Sequence, residues 1–468
     1  MSLSDGSTNR HFLDSGRKSL PAVTLRALAV GAVSLGAVSR PPTLAASAIG
    51  VGLVLFLWSM RADQSTADNH VFRWSGILVV LIIVTHLAGS FDRVLDFEIA
   101  RLTWLVLLVI AAALGIGWGH KRIPRYVSIA FAMLAVLTIT FVMTVGEWRS
   151  DLGLDVYWMH RNAGEALFQG ENPYTDAVRV FNGSPFAPDG SVIEGYPYPP
   201  VVLATYAATG NQADPRLVSS VVWIGVLAWM AWHARREGSA GDISYAMFLL
   251  MAGLAVWPGV WFGSWTEPLS IGLLLLTAVM WRKRPLWSAI TLGLAIASKQ
   301  YFIFLAPLLL LQKGEQRWKR LLVSVGVAAG TVVIGLIPDP NAYLNATVFN
   351  LSEIGFRPDS QSLSGLFASY GFDFYLTPLA WLALGLALAV VVSRGAKSAA
   401  DFVGRGGLIL GLAFFFGQAF VNYWFLVAGL FAISALLPGD TEPARGEEGL
   451  PATLRHTTES DFSVEPLR

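Results

Sequence analysis

Residues 286–312 read LWSAITLGLAIASKQYFIFLAPLLLLQ, an apolar stretch of 27 residues interrupted by a single charge, Lys299. The stretch can form one long helix or two short ones, and the topology of the chain turns on which. The flanks decide. Arg282, Lys283 and Arg284 precede it, and Lys313, Arg317, Lys319 and Arg320 follow it. Short loops rich in Lys and Arg stay on the cytoplasmic side of a membrane. Both flanks are therefore expected inside, the stretch crosses twice, and Ser298-Lys299-Gln300 forms its outer turn.

The same rule orients the rest. Lys121, Arg122 and Arg125 share one short loop, Arg235 and Arg236 another, and Arg394, Lys397 and Arg405 a third. Apolar runs give candidate spans at about 23–39, 42–60, 75–90, 100–118, 126–146, 217–234, 243–261, 264–281, 286–298, 300–312, 321–337, 372–393, 406–420 and 421–437. The first holds Arg26. Putting all the basic loops on one side requires Tyr198–Gly210 not to span. That segment is expected to lie on the outer leaflet as an interfacial helix, with Pro199 and Pro200 in its first turn. The loops 151–200 and 338–371, the turns Trp257–Trp265 and Gln418–Tyr423, and Lys299 then all fall on the outer face.

Composition agrees with this class. Of 468 residues 54% are hydrophobic and only 14% charged, against about 25% charged in soluble domains. The fold class expected is an all-α polytopic membrane protein of about 12–14 spans. A net charge of +1 offers no field for nucleic acid. The absence of cysteine excludes disulfides and thiolate metal sites. No cleaved signal peptide is expected in residues 1–21. The expected organisation is a cytoplasmic tail over 1–22, accessory N-terminal helices over 23–118, a catalytic transmembrane core over 119–437 with an external loop at 147–211, and a disordered cytoplasmic tail over 438–468. The accessory helices are a candidate surface for a partner protein.

The external loop is the polar exception in this chain. It reads DLGLDVYWMHRNAGEALFQGENPYTDAVRVFNGSPFAPDGSVIEGYPYPP from Asp151 to Pro200. Asp151 and Asp155 stand just past a span; such acids are often only solvated end residues. Here Tyr157 and Trp158 follow, then a helix expected from about Asn162 to Gln169 and closed by Gly170. A carboxylate held there is placed to act as a general base, and Asp155 is preferred to Asp151. His160 stands alone and is expected to be structural, with substrate contact as the alternative. Asn172 and Tyr174 belong to a turn. Tyr196 and Tyr198 sit in a proline-stiffened segment and can stack on sugars or anchor at headgroups.

Beyond the loop, Glu267 lies close to hydrocarbon, where an acid is either functional or a helix cap. Lys299 needs an anionic partner unless it snorkels outward; a lipid phosphate is the attractive one. Arg357 is a second phosphate candidate. Gln361, Asn422 and Tyr423 can hydrogen-bond a glycan or serve as ordinary turn residues. No Walker A, HExxH or GxSxG motif occurs. No cofactor is fixed by the sequence, no metal ligand set is evident, and a divalent metal stays open.

Asp155-Val156-Tyr157 after a span, Gly170 with Asn172-Pro173-Tyr174, Tyr196 to Pro200, and Ser298-Lys299-Gln300 in a later outer turn together resemble the C-type superfamily of membrane glycosyltransferases. The likeness is closest to the bacterial polyprenyl-phosphate-mannose- and arabinose-dependent family, which includes mannosyltransferases of phosphatidylinositol mannoside assembly. It covers about 126–437. The family places this loop after its first span, whereas about four extra spans precede it here. The resemblance implies a helical bundle with interfacial helices, an essential Asp falling on Asp155, a polyprenyl-phosphate sugar donor, a lipid or glycan acceptor, and a site on the extracytoplasmic face of the plasma membrane. A lipid-linked sugar flippase remains the alternative; it would carry its polar residues near the midplane.

Overall fold

The computed structural model describes residues 22–38, 42–59, 103, 106–114, 122–145, 155–181, 192–207, 209, 214–236, 239–254, 260, 263–311, 316–349, 360–372, 377–393 and 395–437. Contacts divide the chain into 1–437 and 438–468, and every described residue lies in the first unit. Asp151, Arg357, the expected span 75–90, Trp257 and Trp261 lie outside the described residues.

The helices are α1 (Ala22–Val38), α2 (Pro42–Ser59), α3 (Arg122–Val145), α4 (Asp155–Phe168), α5 (Pro200–Ala207), α6 (Arg216–Ala234), α7 (Ser239–Ala252), α8 (Glu267–Met280), α9 (Pro285–Ile296), α10 (Ala306–Leu310), α11 (Arg317–Leu336), α12 (Pro340–Leu344), α13 (Leu363–Ala368), α14 (Pro378–Val392), α15 (Ala399–Phe416) and α16 (Val421–Leu436). A 3₁₀ helix, Gln300–Leu305, precedes α10, and a π turn, Asn345–Phe349, follows α12. The stretch 106–114 is also helical. Prolines open α5, α9, α12 and α14, where their missing N–H is not needed. Ser398, Ser362 and Asp339 cap α15, α13 and α12 with their side chains. Among the described residues one small hairpin departs from helix: β1 (Arg179–Phe181) pairs antiparallel with β2 (Val192–Glu194).

The protein is an all-α polytopic membrane protein. Three described helices, α6, α11 and α15, are long and apolar enough to cross a membrane alone, and eight apolar stretches are shorter. Leu322, Val333, Ile334 and Ile337 along and just past α11, with Leu379, Leu382 and Leu386 on α14, are exposed, as befits faces turned to hydrocarbon. α16 is buried along most of its length and forms the axis of the core. Gly407 and Gly411 of α15 let it approach α16 and α2: a Cβ on Gly407 would press on Leu430, and one on Gly411 on Leu53. α1 and α2 pack on each other and on α15 and α16. Phe56 stacks on Phe431 at 3.6 Å, and Arg26 donates to the Ser434 carbonyl at 3.3 Å. These two helices thus share one hydrophobic core with the rest of the bundle.

Residues 281–311 run up and back. At one end Trp281 packs on Phe402 at 5.1 Å, and its carbonyl accepts from Arg320 at 3.0 Å. The Leu311 carbonyl lies at that same end, beside Gly395. At the other end Tyr301 meets Phe414 at 5.0 Å. Phe402 and Phe414 mark opposite ends of α15, so the chain reverses at Ser298–Gln300. The returning arm is not the continuous α-helix expected over 300–312. It opens as 3₁₀, a form in which aromatic Tyr301, Phe302 and Phe304 crowd the start of the arm and Pro307 follows.

Helix lengths shape this end. α8 has 14 residues and α9 has 12, while α11 has 20. At 1.5 Å per residue these are ~21, ~18 and ~30 Å. α9 and α11 pack together and start from the same end, so α11 outreaches α9 by ~12 Å. Its far end meets Tyr343 of α12 and Pro200 of α5 through Gly335. The short helices end in a recess beneath these elements.

Candidate functional site at the end of the short helices

Two pieces of chain cover the recess, α4 and the described residues of 171–198. α4 begins at Asp155, seven residues earlier than the sequence suggested. Val156-Tyr157-Trp158 completes its first turn rather than forming a separate surface cluster, and an acid in that turn is favoured by the helix dipole. Gly170 ends the helix with φ +77°, a conformation that glycine adopts freely. Beyond it Asn172 accepts the Tyr174 N–H at 3.1 Å. The Tyr174 hydroxyl donates to the Tyr198 carbonyl at 3.2 Å, and the Tyr196 N–H to the Pro173 carbonyl at 2.9 Å. The turn 171–174 and the segment 195–198 are therefore clipped together, and Asn172 and Tyr174 are occupied in doing so.

His160 and Tyr196 do not present free polar groups to a substrate. Both are buried. The His160 Nε2–H donates to the Ser264 carbonyl at 3.1 Å, and Nδ1 then accepts from the Tyr196 hydroxyl at 2.6 Å. The imidazole is stacked between Tyr206, at 4.1 Å, and Tyr198, at 5.4 Å. Burial, reinforced by the charge of Lys299, lowers its pKa to about 3 despite the Ser264 hydrogen bond. Burial likewise raises the pKa of the Tyr196 and Tyr206 hydroxyls. These groups are neutral donors and acceptors that fasten α4 to the turn before α8. Tyr157 is also buried, beneath the Arg216 guanidinium at 5.2 Å. Arg216 in turn donates through Nε to both Asp214 oxygens at 2.8 Å.

Below this cover lies the charged pair. The Lys299 Nζ stands 3.2 Å from Glu267 Oε1. The same oxygen accepts from Asn422 Nδ2 at 3.0 Å and from the Tyr301 hydroxyl at 3.4 Å. Glu267 is wholly buried and Lys299 is 7% exposed. The ammonium faces the rings of Tyr198, Tyr301 and Tyr423 at 4.8, 5.8 and 6.0 Å, a cation–π setting. The anionic partner that Lys299 requires is thus inside the protein. Gln300 Nε2 extends the closure, donating to the Thr347 carbonyl at 3.0 Å and the Pro197 carbonyl at 3.4 Å.

Of the sequence candidates, the fold brings Tyr198, Glu267, Lys299, Asn422 and Tyr423 into one cluster. Gln361 stands beside it through its backbone: its N–H donates to the Ala419 carbonyl at 2.8 Å, and its carbonyl accepts from Trp424 at 2.9 Å. Asp155 is the first residue of α4. Tyr301, Ser264 and Thr266 were missed. The signal for Tyr301 was its place two residues after the lone lysine. Among the described residues no three His, Asp or Glu gather as metal ligands.

A helical membrane bundle with a buried acid–base pair and tyrosine rings at one end defines a membrane protein with a polar site among the ends of its helices. Residues 196–416 match the model of Glycosyltransferase family 87. On that match the protein is a membrane glycosyltransferase. The matched segment includes Tyr198, Glu267, Lys299 and Tyr301; Asp155, Asn422 and Tyr423 fall outside it. No curated protein and no solved structure matches the chain.

Proposed function

We propose that this protein transfers a sugar, mannose in the first instance, from a polyprenyl-phosphate donor to a lipid-linked or cell-envelope glycan on the extracytoplasmic face of the plasma membrane. Polyprenyl-phosphate arabinofuranose is the second donor to be considered, since it presents the same phosphate. The observation that carries the reading is Lys299. An ammonium has three N–H donors, and the internal partner Glu267 takes one. The remaining donors are held among tyrosine rings, below interfacial elements that a membrane-borne donor would meet first.

In this reaction the Asp155 carboxylate takes the proton of the acceptor hydroxyl. The oxygen attacks the anomeric carbon, the carbon–phosphate-oxygen bond breaks, and polyprenyl phosphate leaves with the bonding electrons. One displacement inverts the anomeric centre. Lys299, with Arg357 as a second cation, stabilises the charge gathering on the leaving phosphate. Tyr198 and Tyr423 offer faces for the sugar.

The test is transfer by the purified protein in detergent, offered polyprenyl-phosphate mannose or arabinose and a mixed lipid-linked acceptor. Transfer from one donor, reduced by about 10²–10⁴ in Asp155→Asn, is expected. Unimpaired transfer by an Asp155→Asn, Asp151→Asn double variant rejects the base assignment.

A further inference from the structure

Glu267 is used by only one of its oxygens. Oε1 receives Lys299, Asn422 and Tyr301. Oε2 is buried and has no hydrogen-bond partner. Two more buried oxygens in the same turn lack partners, Ser264 Oγ and Thr266 Oγ1. The turn is also strained, since Ser264 sits at φ 53°, a conformation disfavoured for a residue with a side chain. A carboxylate kept only to neutralise a lysine would use both oxygens, because an unmet buried acceptor is costly.

We infer that Glu267, with Thr266 and Ser264 beside it, reads a hydroxyl of the transferred sugar while Lys299 takes the adjoining phosphate; this rests on the donor proposed above. The chemistry of the vacant valences selects the ligand. Oε2 needs a hydrogen-bond donor. A phosphate oxygen is an acceptor and carries like charge, and a prenyl chain has nothing to give; a sugar hydroxyl fits. Lys299, 3.2 Å away across the pair, needs an acceptor and an anion. Only a ligand with a hydroxyl close to an anionic phosphate satisfies both, and a glycosyl phosphate is such a group. A bare lipid phosphate satisfies one side alone. The pair would therefore distinguish a loaded carrier from a spent one, which favours release of the polyprenyl phosphate after transfer.

The experiment is equilibrium binding to the full-length protein of polyprenyl-phosphate mannose, its monodeoxy derivatives, and sugar-free polyprenyl phosphate. Wild type is expected to bind the loaded lipid at least tenfold tighter than the bare one. One deoxy derivative should lose most of that advantage. In Glu267→Gln the advantage should shrink about tenfold, from loss of a hydrogen bond to a charged group, with the bare lipid bound as well as before. That same deoxy change should then cost nothing further. Thr266→Val, which leaves the ion pair intact, keeps the test independent of any misfolding in the glutamine variant and should narrow the advantage in the same direction. Equal loss for loaded and bare lipids, or a preference untouched by Glu267→Gln, overturns the inference while leaving the donor assignment standing. Failure of wild type to bind either lipid overturns both.

Discussion

Buried cations occur at both ends of this bundle, and they are used differently. At one end the partners include main-chain oxygens that helices leave open at their C-termini. Arg125 donates to the Arg236 carbonyl at 2.9 Å and pairs with Asp242. Arg320 donates to the Trp281 carbonyl at 3.0 Å with its guanidinium over that ring, and Arg405 to the Val391 carbonyl at 2.8 Å. At the other end Lys299 meets the side chain of the first residue of α8, not a main-chain carbonyl. An arginine's planar fork suits fixed acceptors, whereas a lysine is a compact charge that can hold an internal partner and a ligand together. The first end fastens cations to fixed carbonyls, although Arg320 Nε and Nη1 make no hydrogen bond there among the described residues. The second end leaves an acceptor, Glu267 Oε2, unmet beside its cation.

Breaking the second end should have the larger effect. Lys299→Met leaves Glu267 buried without its cation, which costs about 3–5 kcal/mol of stability, and transfer should fall by about 10²–10³. Adding Glu267→Gln to that variant should raise its thermal unfolding midpoint while transfer stays lost. If transfer returned with stability, the lysine would be a structural group only. Arg320→Ala at the first end should cost about 2–3 kcal/mol and lower the unfolding midpoint, with kcat and donor KM unchanged. A shift in donor KM would show that the two ends are coupled.

The smallest effect tests the cover. His160 has a folded pKa of about 3 against 6.5 when free, so protonation favours the unfolded chain. Its contribution is complete above pH 6.5 and declines as pH falls from 6.5 towards 3. By pH 5 the loss is about 2 kcal/mol, set by the unfolded value alone. Unfolding midpoints measured from pH 7 to pH 5 should fall in wild type and flatten in His160→Phe. Parallel slopes would place the pH dependence elsewhere.

Much of the framework was legible because charge and pattern are local. The reversal at Ser298–Gln300 followed from basic flanks a few residues away, and the same charge rule kept 198–210 from being read as a span, with prolines suiting the first turn of α5. The start of α4 was misjudged because aromatic residues and an acid look alike whether they lie on a surface or open a helix. The Glu267–Lys299–Asn422 contact was not readable as a contact. Asn422 is 155 residues from Glu267, and only packing of α8 against α16 brings them together. Each residue drew notice alone as a polar group near hydrocarbon, which is a statement about cost and not about partners. His160 and Tyr196 show the converse: residue type left substrate contact and a structural or anchoring role both open, and the structure gives their partners within the protein.

The shortness of α8 and α9 bears on charge as well as on space. α9 is shorter than α11 by ~12 Å and α8 by ~9 Å, and Lys299 at this end is buried away from freely screening water. Two unit charges 4 Å apart attract by about 1 kcal/mol in bulk water and about 4 kcal/mol at the effective dielectric of a protein margin. Depth therefore acts as an amplifier. The same ammonium holds an anion more firmly in the recess than it would on the rim, and a few missing helical turns set the gain.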